Sequence, residues 1–96
     1  MKGYVIAGVT VEDPAKYEEY RSQVMPTVLK HGGRFVVRGG TQEVVEGSWN
    51  PKRIVVLEFP SYQAAKDWYH SPEYQPLAKL RASASQSNLI IVEGAP

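Results

Sequence analysis

Apolar residues recur along this chain in two rhythms. Over residues 3–10, GYVIAGVT, Tyr4, Ile6 and Gly8 point one way while Val5, Ala7 and Val9 point the other. A strand that is apolar on both sides is buried on both sides. Gly8 inside it marks a bulge or a close approach by another part of the chain. The rhythm then lengthens. Asp13-Pro14 opens a helix, with Asp as the cap and Pro in the first turn. Tyr17, Tyr20, Val24 and Val28 follow at helical spacing, with Arg21 beside the stripe and Glu18, Glu19 and Gln23 on the wet side. Pro26 removes a backbone bond and predicts a kink or a split near Gln23. Gly32-Gly33 ends the helix in the left-handed manner.

From Gly33 to Phe59 the pattern predicts a long β-hairpin. Strand 2 starts at Arg34 and runs through Glu46, with a bulge at Gly39-Gly40. The turn falls at Gly47-Ser48-Trp49-Asn50-Pro51, and strand 3 covers Arg53 to Phe59. This register sets Glu46 roughly opposite Arg53. A turn at Gly39-Gly40 is the alternative and adds a strand. Pro60-Ser61 stops strand 3 and caps a second helix, whose inner stripe is Ala64, Ala65, Trp68 and Tyr69. Ser71-Pro72-Glu73 starts a short turn at 72–75, and a helix follows at about 76–84. The small polar run 82–87, ASASQS, reads as a linker. Asn88-Leu89-Ile90-Ile91-Val92 is the last strand, apolar on both faces.

The order is β-α-β-β-α-β, an α+β arrangement of the ferredoxin-like kind, in which helices cover one face of a four-stranded antiparallel sheet. The other face has no cover of its own. Strands 1, 3 and 4 are apolar there too, which exceeds what a monomer leaves exposed. The pattern therefore predicts a homodimer, two sheets packed face to face as a barrel. If that face is only moderately apolar, the chain is a monomer.

Composition narrows the functions. The 96 residues make one expected domain, residues 1–96. No cysteine is present, so neither disulfides nor thiolate chemistry enter. Eleven Lys and Arg against ten Asp and Glu give +1, no electrostatic case for nucleic acid or an anionic membrane. MKGYVIAGVT lacks the long apolar region of a signal peptide, and no run approaches the roughly 20 apolar residues of a membrane span. A cytoplasmic protein is expected. Two distant histidines, His31 and His70, each end a helix and complement its dipole. They give little support for a metal or a haem, and no cofactor is expected. There is no G-x-S-x-G, P-loop or G-x-G-x-x-G, and Ser83, Ser85 and Ser87 have no base nearby.

The candidate chemistry sits in the hairpin. Arg38, Glu46, Arg53 and Glu58 interrupt aliphatic strands. In one reading some of them enter a cavity under the sheet. Arg there is a forked donor for an anionic ligand, and a Glu shielded from water has a raised pKa and can move protons. In the other they pair across the hairpin or the dimer and fix register. Glu58 shares its side with Ile54 and Val56, opposite Val55, Leu57 and Phe59, so it needs a partner or a neutral form. Trp68, Tyr69, Tyr74, Tyr17 and Tyr20 read first as core and second as an aromatic pocket. Tyr74 and Arg81 lie outside the sheet, where they can border a cavity mouth, and Arg81 can equally cap a helix end.

GGRFVVRGG, then EVVEG with Trp49, Pro51 and RIVVLEFPS, then Ala65, WY, SPEYQ, Leu77 and Arg81, resembles the uncharacterised family known as domain of unknown function 1330, within the dimeric α+β barrel superfamily. The likeness runs from Tyr4 to Val92 and rests on the spacing of Arg38, Gly39, Glu46, Gly47, Arg53, Glu58, Phe59, Trp68, Tyr69, Tyr74 and Arg81. It implies a ferredoxin-like protomer and a homodimer, and no settled activity. The superfamily spans cofactor-free monooxygenases, small-ring isomerases and haem enzymes, so fold does not fix function. Two readings follow. The first is a homodimer that binds a small molecule or serves a structural role, with Arg38, Glu46, Arg53, Glu58, Tyr74 and Arg81 as candidate ligand contacts. The second is a cofactor-independent enzyme, monooxygenase- or isomerase-like, acting on a small aromatic or oxo-acid substrate. There Glu58 handles protons and Arg38 holds an anionic oxygen.

Overall fold

The computed structural model describes all 96 residues. Strand β1 (Gly3–Val11) leads into helix α1 (Pro14–Lys30). Strands β2 (Arg34–Arg38) and β3 (Arg53–Phe59) follow, then helices α2 (Tyr62–His70) and α3 (Gln75–Ala84), then strand β4 (Ser85–Glu93). The sheet order is β2-β3-β1-β4 and every neighbouring pair is antiparallel. This is the ferredoxin-like α+β fold that the order of elements predicts. No helix is long and apolar enough to cross a membrane.

The local signals do their expected work at the helix ends. The Asp13 carboxylate accepts from the Lys16 amide at 3.1 Å, and the Ser61 hydroxyl accepts from the Ala64 amide at 3.0 Å. Past α1, the Gly32 and Gly33 amides bond back to the carbonyls of Leu29 and Val28, and so close the helix. Pro26 does not split α1, which is one helix from Pro14 to Lys30. Val24, Thr27 and Val28 are buried on both sides of the proline, whereas Pro26 and Ser22 are exposed. The carbonyl that Pro26 leaves unpaired therefore faces water, and packing holds the turn.

Two expectations about strands fail. Strand 2 stops at Arg38, and residues 39–52 form a loop with neither the long hairpin nor an extra strand. Its bulge is not at Gly39-Gly40: the register slips between Phe35 and Val37, so that Val36 is the extra residue. Gly39 then turns the chain away at a φ of 69° after its amide bonds to the Ile54 carbonyl. Nor is 82–87 a linker. Ala84 and Ser85 are buried where α3 passes directly into β4, the Ala84 carbonyl accepts the Glu12 and Asp13 amides, and the Ser85 hydroxyl bonds back to Arg81 O. Small side chains are needed there for packing, not for flexibility.

All three helices lie on one side of the sheet. Val5, Ala7, Val9, Leu57 and Phe59 meet Val24, Val28, Trp68 and Leu77 in the core. Trp68 is its centre, 4.0 Å from the Tyr74 ring and 5.5 Å from the Phe59 ring between centroids. Its indole N–H donates to Thr27 Oγ1 at 3.0 Å, so the buried polar atom is satisfied.

Candidate functional site

The register assigns each candidate to a face. On the helix-covered side, Leu89, Ala7, Val55 and Arg38 lie in one row across the sheet, and Ser87, Val9 and Arg53 lie in the next. Ala7 is the small member of its row and leaves room between the sheet and the helices. A cavity opens there, walled by Val5, Tyr17, Val24 and Trp68 and reached by four arginines: Arg21 from α1, Arg38 from β2, Arg53 from β3 and Arg81 from α3. The free room is about 30 Å³, which holds a water molecule or two.

The arginines are held without being neutralised. No carboxylate is within ion-pair distance of Arg38, Arg53 or Arg81, and only Arg21 has one, the largely exposed Glu18 at 3.4 Å. The Arg38 guanidinium lies 4.2 Å above the Phe35 ring, a cation–π contact that positions the charge and leaves it in place. Arg53 Nε is buried with no hydrogen-bond partner. Its guanidinium occupies the space a side chain at Gly39 would need. Arg81 donates from Nη1 to the Tyr74 hydroxyl and from Nε to Ser87 Oγ, at 3.3 Å for the serine. Tyr74 and Tyr20 share a hydrogen bond of 2.9 Å. Burial raises both phenols above their ordinary pKa, Tyr74 the more strongly. Burial also opposes the Arg81 charge, but the oxygens of Tyr74 and Tyr20 more than offset it, so its pKa rises. Neutral phenols thus buttress a permanent cation.

The structure brings together Arg38, Arg53 and Arg81 and separates the rest. Tyr74 is fully buried and does not border the mouth; it stands behind Arg81 as its acceptor. Glu46 is exposed in the 39–52 loop and makes no ion pair with Arg53, because the strand that was to carry it ends at Arg38. Glu58 is on the opposite face from Arg38. The Val36 bulge is the cause, since it shifts Arg38 by one place and so turns it to the helix side. On the open face Glu58 stands between Tyr4 and Arg34, its two cross-strand neighbours. The Tyr4 hydroxyl donates to it at 2.9 Å and Arg34 Nε at 3.0 Å. Those two bonds, Tyr4's first, hold the Glu58 pKa below the usual carboxylate value. A proton-carrying Glu58 of raised pKa is therefore not what the fold builds.

The same face holds an apolar row, Ile90, Ile6, Val56 and Val37, running across all four strands. Ile90 is 59% exposed and Val37 40%. The 39–52 loop folds back over its edge: Pro51 and Trp49 lie against Gly8, the close approach that the glycine signals, and Trp49 stays 68% exposed. His31 and His70 belong to neither feature. His31 closes α1 with Nε2 3.9 Å from Glu73, and His70 ends α2 against Tyr69.

The fold and the site together define a ferredoxin-like α+β protein with a cationic pocket between sheet and helices. The chain belongs to the family described as domain of unknown function DUF1330, whose model matches residues 2–95. No curated protein matches it by sequence. Among solved structures it is similar to RPA0582, a protein of unknown function from Rhodopseudomonas palustris, with 19% identity over 99% of this chain and 83% of that one and a TM-score of 0.79. It is similar also to a dimeric ferredoxin-like protein of unknown function from Jannaschia, with 14% identity over the whole of both chains and a TM-score of 0.71. A third is SnoaB, a cofactor-independent oxygenase from Streptomyces nogalater, with 16% identity over 99% of this chain and 94% of that one and a TM-score of 0.65. At these identities the shared property is the fold.

Proposed function

We propose that the protein is a homodimer, paired through its open sheet face, in which each protomer binds a small molecule in the pocket between sheet and helices. The observation that carries the binding reading is the convergence of Arg38, Arg53 and Arg81 on one apolar-walled space with no acidic partner. Arginines that only fixed register would be spent on carboxylates, as Arg34 is on Glu58. The dimer reading is supported by the exposed row from Ile90 to Val37, which water leaves uncompensated in a lone protomer. Dimerisation also fits the Jannaschia relative, which is described as dimeric.

Filling the pocket tests the binding reading. Ala7→Val places a branched side chain in the gap of the Leu89–Ala7–Val55–Arg38 row. Compounds that raise the melting temperature of the wild-type protein in a screen of small aromatics and acids should lose that effect in Ala7→Val. A screen without hits, together with an Ala7→Val protein that is merely more stable, would leave a structural role. Catalysis without a cofactor is a second reading, favoured by the fold shared with the Streptomyces oxygenase. In it Arg38 and Arg53 hold the anionic oxygen of an aromatic or oxo-acid substrate, and Glu58, on the far face, takes no part. Oxygen consumption by the purified protein with a panel of phenols and quinols tests it.

A further inference from the structure

The pocket has charges of one sign only. Arg38 and Arg53 stand at the β2–β3 edge, Arg21 reaches in from α1, and Arg81 lies toward the β4 side. The rest of the lining is mainly aliphatic and aromatic. A guanidinium removed from water needs acceptors, and a buried N–H left without one is destabilising. Arg53 Nε is such an atom. Tyr74 and Ser87 satisfy two of the N–H groups of Arg81, while Arg38, an exposed residue that still meets water, is held by an aromatic face. What the site lacks is negative charge, and what it offers is a forked donor geometry suited to two oxygens on one atom.

Resting on the small-molecule reading above, we infer that the ligand is a small organic acid: a carboxylate, or an oxoanion head of similar size, on an apolar, preferably aromatic, body. The free room of about 30 Å³ matches the head and not the whole molecule. The head sits against Arg53 and Arg38. The body lies against the apolar part of the lining, which includes Tyr17 and Val24. Specificity follows from sign. A neutral analogue leaves the arginines unpaired, and a cationic one is repelled by all four.

Three probes of one shape separate the possibilities: benzoate, benzamide and benzylammonium, titrated calorimetrically into the full-length protein. Benzoate should bind about tenfold or more tightly than either of the others, since a charge-assisted hydrogen bond is worth at least about one factor of ten. Arg53→Gln and Arg38→Gln should each reduce benzoate affinity about tenfold and leave benzamide unchanged. Should Arg53→Gln fail to fold, Arg38→Gln, an exposed position, carries the test. If benzamide or benzylammonium binds as tightly as benzoate, or if neither substitution affects benzoate, the acid inference is overturned while the pocket reading stands. If none of the three binds to wild type, the acid inference falls, and the pocket reading falls with it only if the compound screen is empty as well.

Discussion

At the scale of single residues, two polar clusters have opposite characters. On the open face, Glu58 is satisfied by Tyr4 and Arg34, and its lowered pKa makes it a stabilising anion. A depressed carboxylate contributes above its unfolded pKa of about 4.3 and loses that contribution as the pH falls through the folded value below it. The melting temperature of wild type should therefore exceed that of Glu58→Gln at neutral pH, and the difference should close below about pH 4. Under the helices, burial raises the phenols Tyr20 and Tyr74, so their stabilisation holds below about pH 10 and is lost as the pH rises through the folded values. In an alkaline titration followed by phenolate absorbance, these two should ionise only as the protein unfolds. Thr27→Val should cost about 1–3 kcal/mol in denaturant unfolding, because it strands the buried indole N–H of Trp68. The face of Glu58 could be read from alternation along β3 alone. Its partners could not: Arg34 is 24 positions away and Tyr4 is 54 away, and only the register of three strands brings them together.

The elements show where short-range signals suffice. Both helix caps, the start of α3 at Gln75-Pro76 and the bounds of β3 follow from residues within a few positions of one another. Asp13→Ala should accordingly cost about 1 kcal/mol, measured by chemical denaturation. Strand β2 is the failure, and an instructive one. EVV and RIVV look alike as β formers, yet Val45 is 83% exposed and unpaired. Propensity describes a fit to a half-buried surface, and residues 41–46 have no strand beside them. What ends β2 is Gly39, whose positive φ and contact with Arg53 are tertiary facts. Gly39→Ala should lose about 1–2 kcal/mol from the left-handed backbone alone and should also displace the Arg53 guanidinium. A fall in benzoate affinity beyond that of a matched surface mutant would show the second effect. The pocket arginines were visible one by one along the chain. Their meeting was not, because Arg38 and Arg81 come together only through the bulge and the α3–β4 junction.

At the scale of the whole molecule, one side of the sheet is finished and the other is not. Light scattering should give twice the 10.7 kDa of one chain at micromolar concentration. Ile90→Asp should halve that mass while leaving the protomer folded, since this side chain is already 59% exposed and a carboxylate there meets water in the monomer but apolar sheet in the dimer. The Arg34–Glu58–Tyr4 row lies on the same open face, so in the proposed dimer acid that protonates Glu58 should loosen the pairing as well. The chain keeps its unpaired cations on the helix side of the sheet and its ion pair on the open face, and Val36 is what sorts them. Remove that one residue and the parity of Arg38 inverts: the guanidinium leaves the cavity for the open face of the sheet. A change of a single codon's length would thus empty the cavity of one guanidinium and, in the proposed dimer, lodge that charge in the seam.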